Sequence, residues 1–397
     1  LSIWQPTKGS LIFLPILEDQ LVFELAKRST NEAITNWNFP FSASKLTQVD
    51  QPSNEEIRQR LKNWPAMFQE YAKSDTQKAV IQIINSFLPF IALWVLMYWS
   101  TFYSYWITMG LAIINAFFLV RIFIIQHDCG HRSFLKSQMA NRIIGWVCSF
   151  FSSIPYQYWA NVHGFHHAHN GQLEVRDIGD INTMTVEEFR EASRWQRFGY
   201  RIYRMPVITF IIAPLVYLGF YNRVPFVRLN GWKKVYAELH LNNIVLLGVY
   251  ALLGWLLGWK QFLIVQLSIL AFFGIIAMWF FYVQHQHEHT YKQWKDNWDY
   301  LLSAIRGSTY YKLPKIMQWF TGNIGYHHIH HLNAKIPNYN LERCAKDHSF
   351  LDQYITTITF WQSLRFMTHK LWCEDEQTMI SFTEFYRREK GQYNRAA

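Results

Sequence analysis

The chain is poor in charge: Lys, Arg, Asp and Glu together make up 17% of its 397 residues, against roughly 25% in soluble domains. Cysteine is scarce too. Cys129, Cys148, Cys344 and Cys373 form neither a CxxC pair nor a regular spacing, which rules against a disulfide framework and fits reduced thiols in a cytoplasmic setting. Residues 1–78 hold no uninterrupted apolar h-region, so a cleavable signal peptide is not expected. No internal repeat, low-complexity tract or nucleic-acid motif is present. The net charge of +10 therefore points to anionic lipid or an acidic docking partner, and not to RNA or DNA.

What the chain has instead is apolar length. Half of its residues are hydrophobic and 18% are aromatic, gathered in runs at about 79–100, 103–125, 143–157, 205–222, 240–258 and 261–284. The first two and last two approach or exceed the roughly 20 residues that cross a bilayer. Each pair is joined by a very short connector, Ser100 to Phe102 and Trp259-Lys260, which predicts two helical hairpins. The middle runs are shorter and are broken by Ser152, Ser153 and Pro155, and by Pro206 and Pro214.

The 16 histidines are not scattered. Four clusters hold His127 and His131; His163, His166, His167 and His169; His285, His287 and His289; and His327, His328, His330 and His331. Each lies where an apolar run gives way to polar chain. Residues three and four apart share a helix face, so 127/131, 163/166/167, 285/289 and 327/330/331 are each expected to present one patch of imidazoles. His169, His287 and His328 fall off those faces, and the isolated His240, His348 and His369 read as structural. If one centre collects all four clusters, neither 143–157 nor 205–222 crosses the membrane, and both are expected to be interfacial or re-entrant helices. The fold class expected is therefore all-α and integral-membrane, with four transmembrane helices in two hairpins, interfacial helices and a cap that carries the histidines. Lys and Arg crowd the 126–239 connection, while the opposite side has almost only Lys260; the positive-inside rule makes the histidine side cytoplasmic.

Ten facing imidazoles with no comparable carboxylate or thiolate set suit more than one transition metal. A structural zinc site needs four ligands and a catalytic one three with a water, so ten fit two metals better. Zinc also has no redox chemistry. The HExxH signature of zinc proteases fails, because residue 291 is Tyr.

The order HxxxH, HxxHH and HxxHH, with a further histidine region after the last hairpin, resembles the integral-membrane fatty-acid desaturases, in particular the bacterial acyl-lipid branch of delta-5 and delta-12 type. The likeness rests on HDCGH at 127–131 between Gln126 and Arg132-Ser133-Phe134, on HGFHHAHNG at 163–171, on HQHEHT at 285–290, and on HHIHH at 327–331 after Gly322-Asn-Ile-Gly-Tyr326. It covers roughly residues 80–345. It implies a non-haem diiron centre held by His127, His131, His163, His166, His167, His327, His330 and His331, with His285 or His289 as a further ligand. Asp128, Asp177, Asp180, Glu288 and Asn323 are expected to hold the outer ring nitrogens. The activity implied is introduction of a cis double bond into an acyl chain of a lipid or of coenzyme A, with O2 and two electrons. A hydroxylase of the same superfamily, or a metal-binding or transport protein of another class, remains an alternative reading of the same shell.

Residues 1–78 are free of histidine and offer no fused haem domain, so a separate donor such as ferredoxin or a cytochrome b5-type protein is expected. Arg194, Arg197, Arg201 and Arg204 form a candidate basic face for it. Aromatic residues around Trp279, Phe280, Phe281 and Tyr282 are candidate walls of an acyl tunnel. The organisation expected is an N-terminal cytoplasmic segment 1–78, a membrane domain 79–331 and a C-terminal cytoplasmic segment 332–397.

Overall fold

Both pairs of long apolar runs form helical hairpins. The structure, a computed structural model, describes residues 52–396, with side chains as far as residue 391; residues 1–51 of the N-terminal segment lie outside the described residues. Helices α1 (Thr76–Ser100) and α2 (Tyr105–Gly130) form the first hairpin. Asp75 starts α1 by accepting the Lys78 N–H at 3.1 Å, which satisfies one of the first-turn donors that a helix leaves open. At 25 and 26 residues each helix reaches about 38 Å, enough to cross the ~30 Å hydrocarbon core. Leu88, Trp106 and Leu247 are more than 65% exposed, which is favourable against lipid tails and unfavourable against water.

The run 143–157 does not continue across. Helix α3 (Gln138–Ser152) ends where Ser153 takes a left-handed φ of 56°, and after Pro155 the chain reverses into α4 (Tyr156–His169). The tip of this hairpin is tied to α2: Gln126 Nε2 donates to the Ile154 carbonyl at 2.9 Å, and Ser152 Oγ donates to Gln126 Oε1 at 2.7 Å. Close approach needs Gly145, because a Cβ there would lie 2.3 Å from the Tyr156 ring. The hairpin thus brings the second histidine cluster beside the first.

The run 205–222 is also broken. Helix α5 (Arg194–Tyr203) is followed past Pro206 by a π turn at Ile208–Ile212 and by helix α6 (Ala213–Gly219), and the two parts bend by 57°. The part from Ile208 to Gly219 spans about 18 Å, too short to cross alone. Helices α7 (Lys233–Leu257) and α8 (Trp259–His285) form the second hairpin, turning at Gly258 with φ 85°, a conformation that costs glycine little. Among the described residues, four helices are therefore long and apolar enough to cross a bilayer.

Beyond α8 the chain folds over the bundle end. Strand β1 (Thr309–Lys312) pairs in parallel with β2 (Thr356–Thr359), and β3 (Leu371–Cys373) pairs antiparallel with β4 (Thr378–Ile380). Helix α9 (His327–Leu332) runs through the boundary expected at 331/332, and α10 (Asn338–Asp347) packs back towards α2. Residues on both sides of that boundary pack in one hydrophobic cluster, with Ile324 and Ile329 beside Ile336, Leu341 and Leu351.

Candidate metal centre

Four helix segments deliver the histidines. The last turn of α2 carries His127, with His131 as its C-cap; α4 carries His163, His166 and His167; His285 is the last residue of α8; and all of α9 lies between His327 and Leu332. Within α2, α4 and α9 imidazoles stand about one turn apart.

The rings converge as two groups. Nitrogens of His127, His131, His163, His167 and His330 lie within 4.8 Å of one another, and so do those of His166, His285 and His331. His327 joins the second group: its Nε2 is 2.9 Å from His285 Nε2 and 3.1 Å from His331 Nε2, while His166 Nε2 is 3.2 Å from His285 Nε2. Ligands on a common cation at ~2.1 Å stand up to about 4.2 Å apart, close to this spread. The groups abut, with His167 and His331 stacked at 4.1 Å.

The chemistry of the rings fits a cation. Burial pushes the His166 imidazole down to about 3, with the His285 ring adding to it; burial, then the facing rings, also holds His167, His327, His330 and His331 well below the usual imidazole range. They are neutral, which is the form that binds metal. His131 Nε2 and both ring nitrogens of His330 are buried with no hydrogen-bond partner among the described residues. Buried polar atoms are rarely left so, and a bound metal ion would satisfy His131 Nε2 and one of the two His330 nitrogens.

Outer contacts fix the tautomers. His285 Nδ1–H donates to the Gly307 carbonyl at 3.0 Å, which leaves Nε2 facing the group. His127 Nδ1–H donates to Asp128 Oδ1 at 2.9 Å, and Asp128 Oδ2 accepts from the backbone and side-chain N–H of Asn338 at 2.6 and 2.8 Å. Asp180 is buried 3.9 Å from Lys292. Burial alone would raise its carboxyl, but Lys292, His166, His285 and the Ile181 N–H outweigh it and hold it below the usual range.

Other expected residues lie elsewhere. His289 is exposed, because α8 stops at His285 and Gln286 leaves helical geometry at φ −106°, ψ 47°; the shared face expected for 285 and 289 does not form. Glu288 is exposed and offers its carbonyl to Met379 and Thr378. Asp177 accepts from Asn182, and Asn323, at φ 57°, donates to the Asn338 carbonyl at 3.4 Å; neither has a metal-facing ring as hydrogen-bond partner among the described residues. His287 and His328 are buried outside both groups, and His169 stacks on Phe165 at 4.0 Å. The basic face expected on α5 also differs. Arg204 is 1% exposed and its guanidinium joins Asn182, Thr183, Tyr282, Gln286 and His369, while Arg197 is spent on the carbonyls of Arg190 and Ala192.

Sequence reading missed Asn338 and Gly307. Pro337-Asn338 is legible as a turn, but nothing in it signals a partner for Asp128, and a backbone acceptor such as Gly307 leaves no residue signature. It also missed Trp159, which stacks on His163 at 4.6 Å and meets Phe123 at 5.0 Å. Of the aromatic residues expected near the centre, Phe281 reaches it, 5.5 Å from His166 and 5.4 Å from His285. Trp279 and Tyr282 instead pack against Phe210.

Comparison with known proteins agrees with this geometry. The fatty acid desaturase family model matches residues 104–361. A fatty acid desaturase of Bacillus subtilis is 42% identical over 312 residues, covering 79% of this chain and 88% of the relative. An sn-1 oleoyl-lipid 12-desaturase of a Picosynechococcus species is 22% identical over 87% of this chain and 98% of its own length. An sn-1 acyl-lipid omega-3 desaturase (ferredoxin) of a Nostoc species is 24% identical over 62% of this chain and 67% of its own. Matched over most of its length, and with its histidines drawn together at the end of a four-helix membrane bundle, the chain belongs to the fatty acid desaturase family.

Proposed function

We propose that this desaturase acts on the acyl chain of a membrane lipid, with two irons held by nine histidines. His127, His131, His163, His167 and His330 would hold one iron, and His166, His285, His327 and His331 the other. The observation that carries this reading is the convergence of those nine rings in two abutting groups. When bound, the irons supply the dioxygen chemistry for breaking unactivated C–H bonds, which side chains lack. One double bond uses one O2, two electrons and two protons and yields two waters.

The protein's own part is positioning. Asp128 and Gly307 hold His127 and His285 with Nδ1–H outward and Nε2 towards the centre, the outer-shell role expected of such partners. Trp159, backed by Phe123, and Phe281 set apolar rings against the histidines, where acyl methylenes would pack and water would be excluded. The choice of carbon pair then depends on how far the chain slides along that wall. The histidine end is assigned to the cytoplasm, since the ends away from the histidines, 100–104 and 257–260, carry only Lys260. A ferredoxin-like carrier is the electron source, in keeping with the donor that the Nostoc relative's name specifies.

Fatty-acid profiling of a host expressing wild type or His330→Ala tests this. Wild type should give a new cis double bond and His330→Ala none, at equal membrane abundance. A mono-oxygenated chain with no new double bond would replace desaturation by hydroxylation, and stoichiometric zinc with no iron-dependent oxygen consumption would remove the enzyme reading.

A further inference from the structure

Electrons must enter where the centre comes nearest to solvent, because tunnelling falls steeply with distance. Most metal-facing rings are buried, but His131 and His163, both in the first group, are half-buried. The chain around His131 is cationic. Lys335 is exposed and its Nζ donates to the His131 carbonyl at 2.6 Å. Arg132 is exposed and follows His131 at a left-handed φ of 58°. Lys136 is exposed on the same loop.

The chain before α1 joins this edge. Ser74 Oγ donates to the Ser133 carbonyl at 2.6 Å, which places exposed Lys73 beside the loop, and Asn340 accepts from Lys78 Nζ at 3.1 Å while donating to the Lys73 carbonyl at 3.3 Å. Two carboxylates interrupt these cations along 70–78. Asp75 is half-buried and caps α1, and Glu70 is exposed beyond Tyr71. By contrast, α5 turns Trp195, Phe198 and Ile202 outward on one face, continuous with exposed Met205, Val207 and Ile211. That face suits the bilayer interface, and its exposed cations Arg194 and Arg201 suit lipid headgroups.

We infer that the patch of Lys73, Arg132, Lys136 and Lys335 at the His131 edge is the docking surface for an acidic, soluble, one-electron iron–sulfur carrier. The inference rests on the desaturase reading. Each docking oxidises the carrier's cluster by one electron and delivers that electron to the metal centre, so two dockings supply the pair consumed per double bond. Lys335 has a second role: its hydrogen bond to the His131 carbonyl gives a direct route from the patch to a metal-facing residue. Complementary charge of this kind speeds encounter and is weakened by salt.

The test uses iron-loaded protein in phosphatidylcholine nanodiscs and a plant-type [2Fe–2S] ferredoxin as probe, with affinity read by surface plasmon resonance at low and high salt. Lys73→Glu with Lys136→Glu should weaken binding about 10-fold or more at low salt, and Lys335→Gln should weaken it less. Arg194→Glu with Arg201→Glu should leave the affinity unchanged. Iron content and circular dichroism check that each variant is folded. No binding by wild type, equal affinity of wild type and the Lys73/Lys136 variant, or weakening only in the Arg194/Arg201 variant would each overturn the assignment. Turnover of wild type with a chemical reductant separates the two claims. A new double bond there with a failed binding test removes only the docking surface, whereas no product removes the desaturase reading.

Discussion

Asp128→Asn isolates the part of the metal centre that carries charge without touching metal. Asp128 is 1% exposed and its carboxylate makes three hydrogen bonds among the described residues, one to His127 and two to Asn338. Asparagine keeps the shape but turns one acceptor edge into a donor. If its oxygen stays on His127 Nδ1, its amide faces two Asn338 N–H groups and leaves them without an acceptor, at a cost of about 1–3 kcal/mol to the metal-free fold. If it flips, His127 loses the group that fixes its tautomer. Loss of such an outer partner lowers metal affinity about 10–100-fold, or about 1.4–2.7 kcal/mol at 1.36 kcal/mol per decade. The two effects are read separately, by chelator competition for ferrous iron and by melting of the metal-free protein. Asn338→Ala removes the side-chain donor but spares the carboxylate, so it should shift iron affinity less. Iron retention by Asp128→Asn within about twofold of wild type, well under the expected range, would refute the role assigned to this contact.

The position of α8's end predicts that His285→Ala loses iron and His289→Ala retains it, measured as iron per chain after gel filtration; the opposite order would mean that the chain past Gln286 folds back onto the centre. Lys370 gives a pH signature. It is buried with its Nζ on the Arg204 carbonyl at 2.7 Å, and burial, then Arg204, pushes its ammonium down to about 6. In the unfolded chain it titrates near ~10.4, so between about pH 6 and 10 the unfolded chain holds the extra proton and stability from this site rises with pH. Lys370→Met should therefore raise the melting temperature most near pH 6 and progressively less towards pH 10; a gain that grows with pH would contradict the burial argument.

Spacing was enough for the bundle. Runs of about 20 apolar residues joined by three-residue or two-residue connectors have few alternatives to helical hairpins, because backbone groups in lipid must be satisfied within the segment. The serines and prolines in 143–157 and 205–222 likewise marked both runs as interrupted. Ser153 with its left-handed φ, and the prolines on either side of Ile208–Ile212, are the physical breaks. Periodicity failed at His289, because it presumes that the helix continues, and no residue after His285 announces the stop.

The amino-acid sequence by itself determined the membrane class, the hairpins and the histidines, since length, apolarity and i, i+3, i+4 spacing are local properties. Tertiary structure decided how those histidines divide into two groups, because the division depends on which helix ends meet. It also made Asn338 and Gly307 the partners of Asp128 and His285 across 210 and 22 residues of chain. Arg204 shows the same limit in reverse: it reads as surface charge within its helix, yet it is buried because the 182–183 loop, the end of α8 and the chain at His369 close around it.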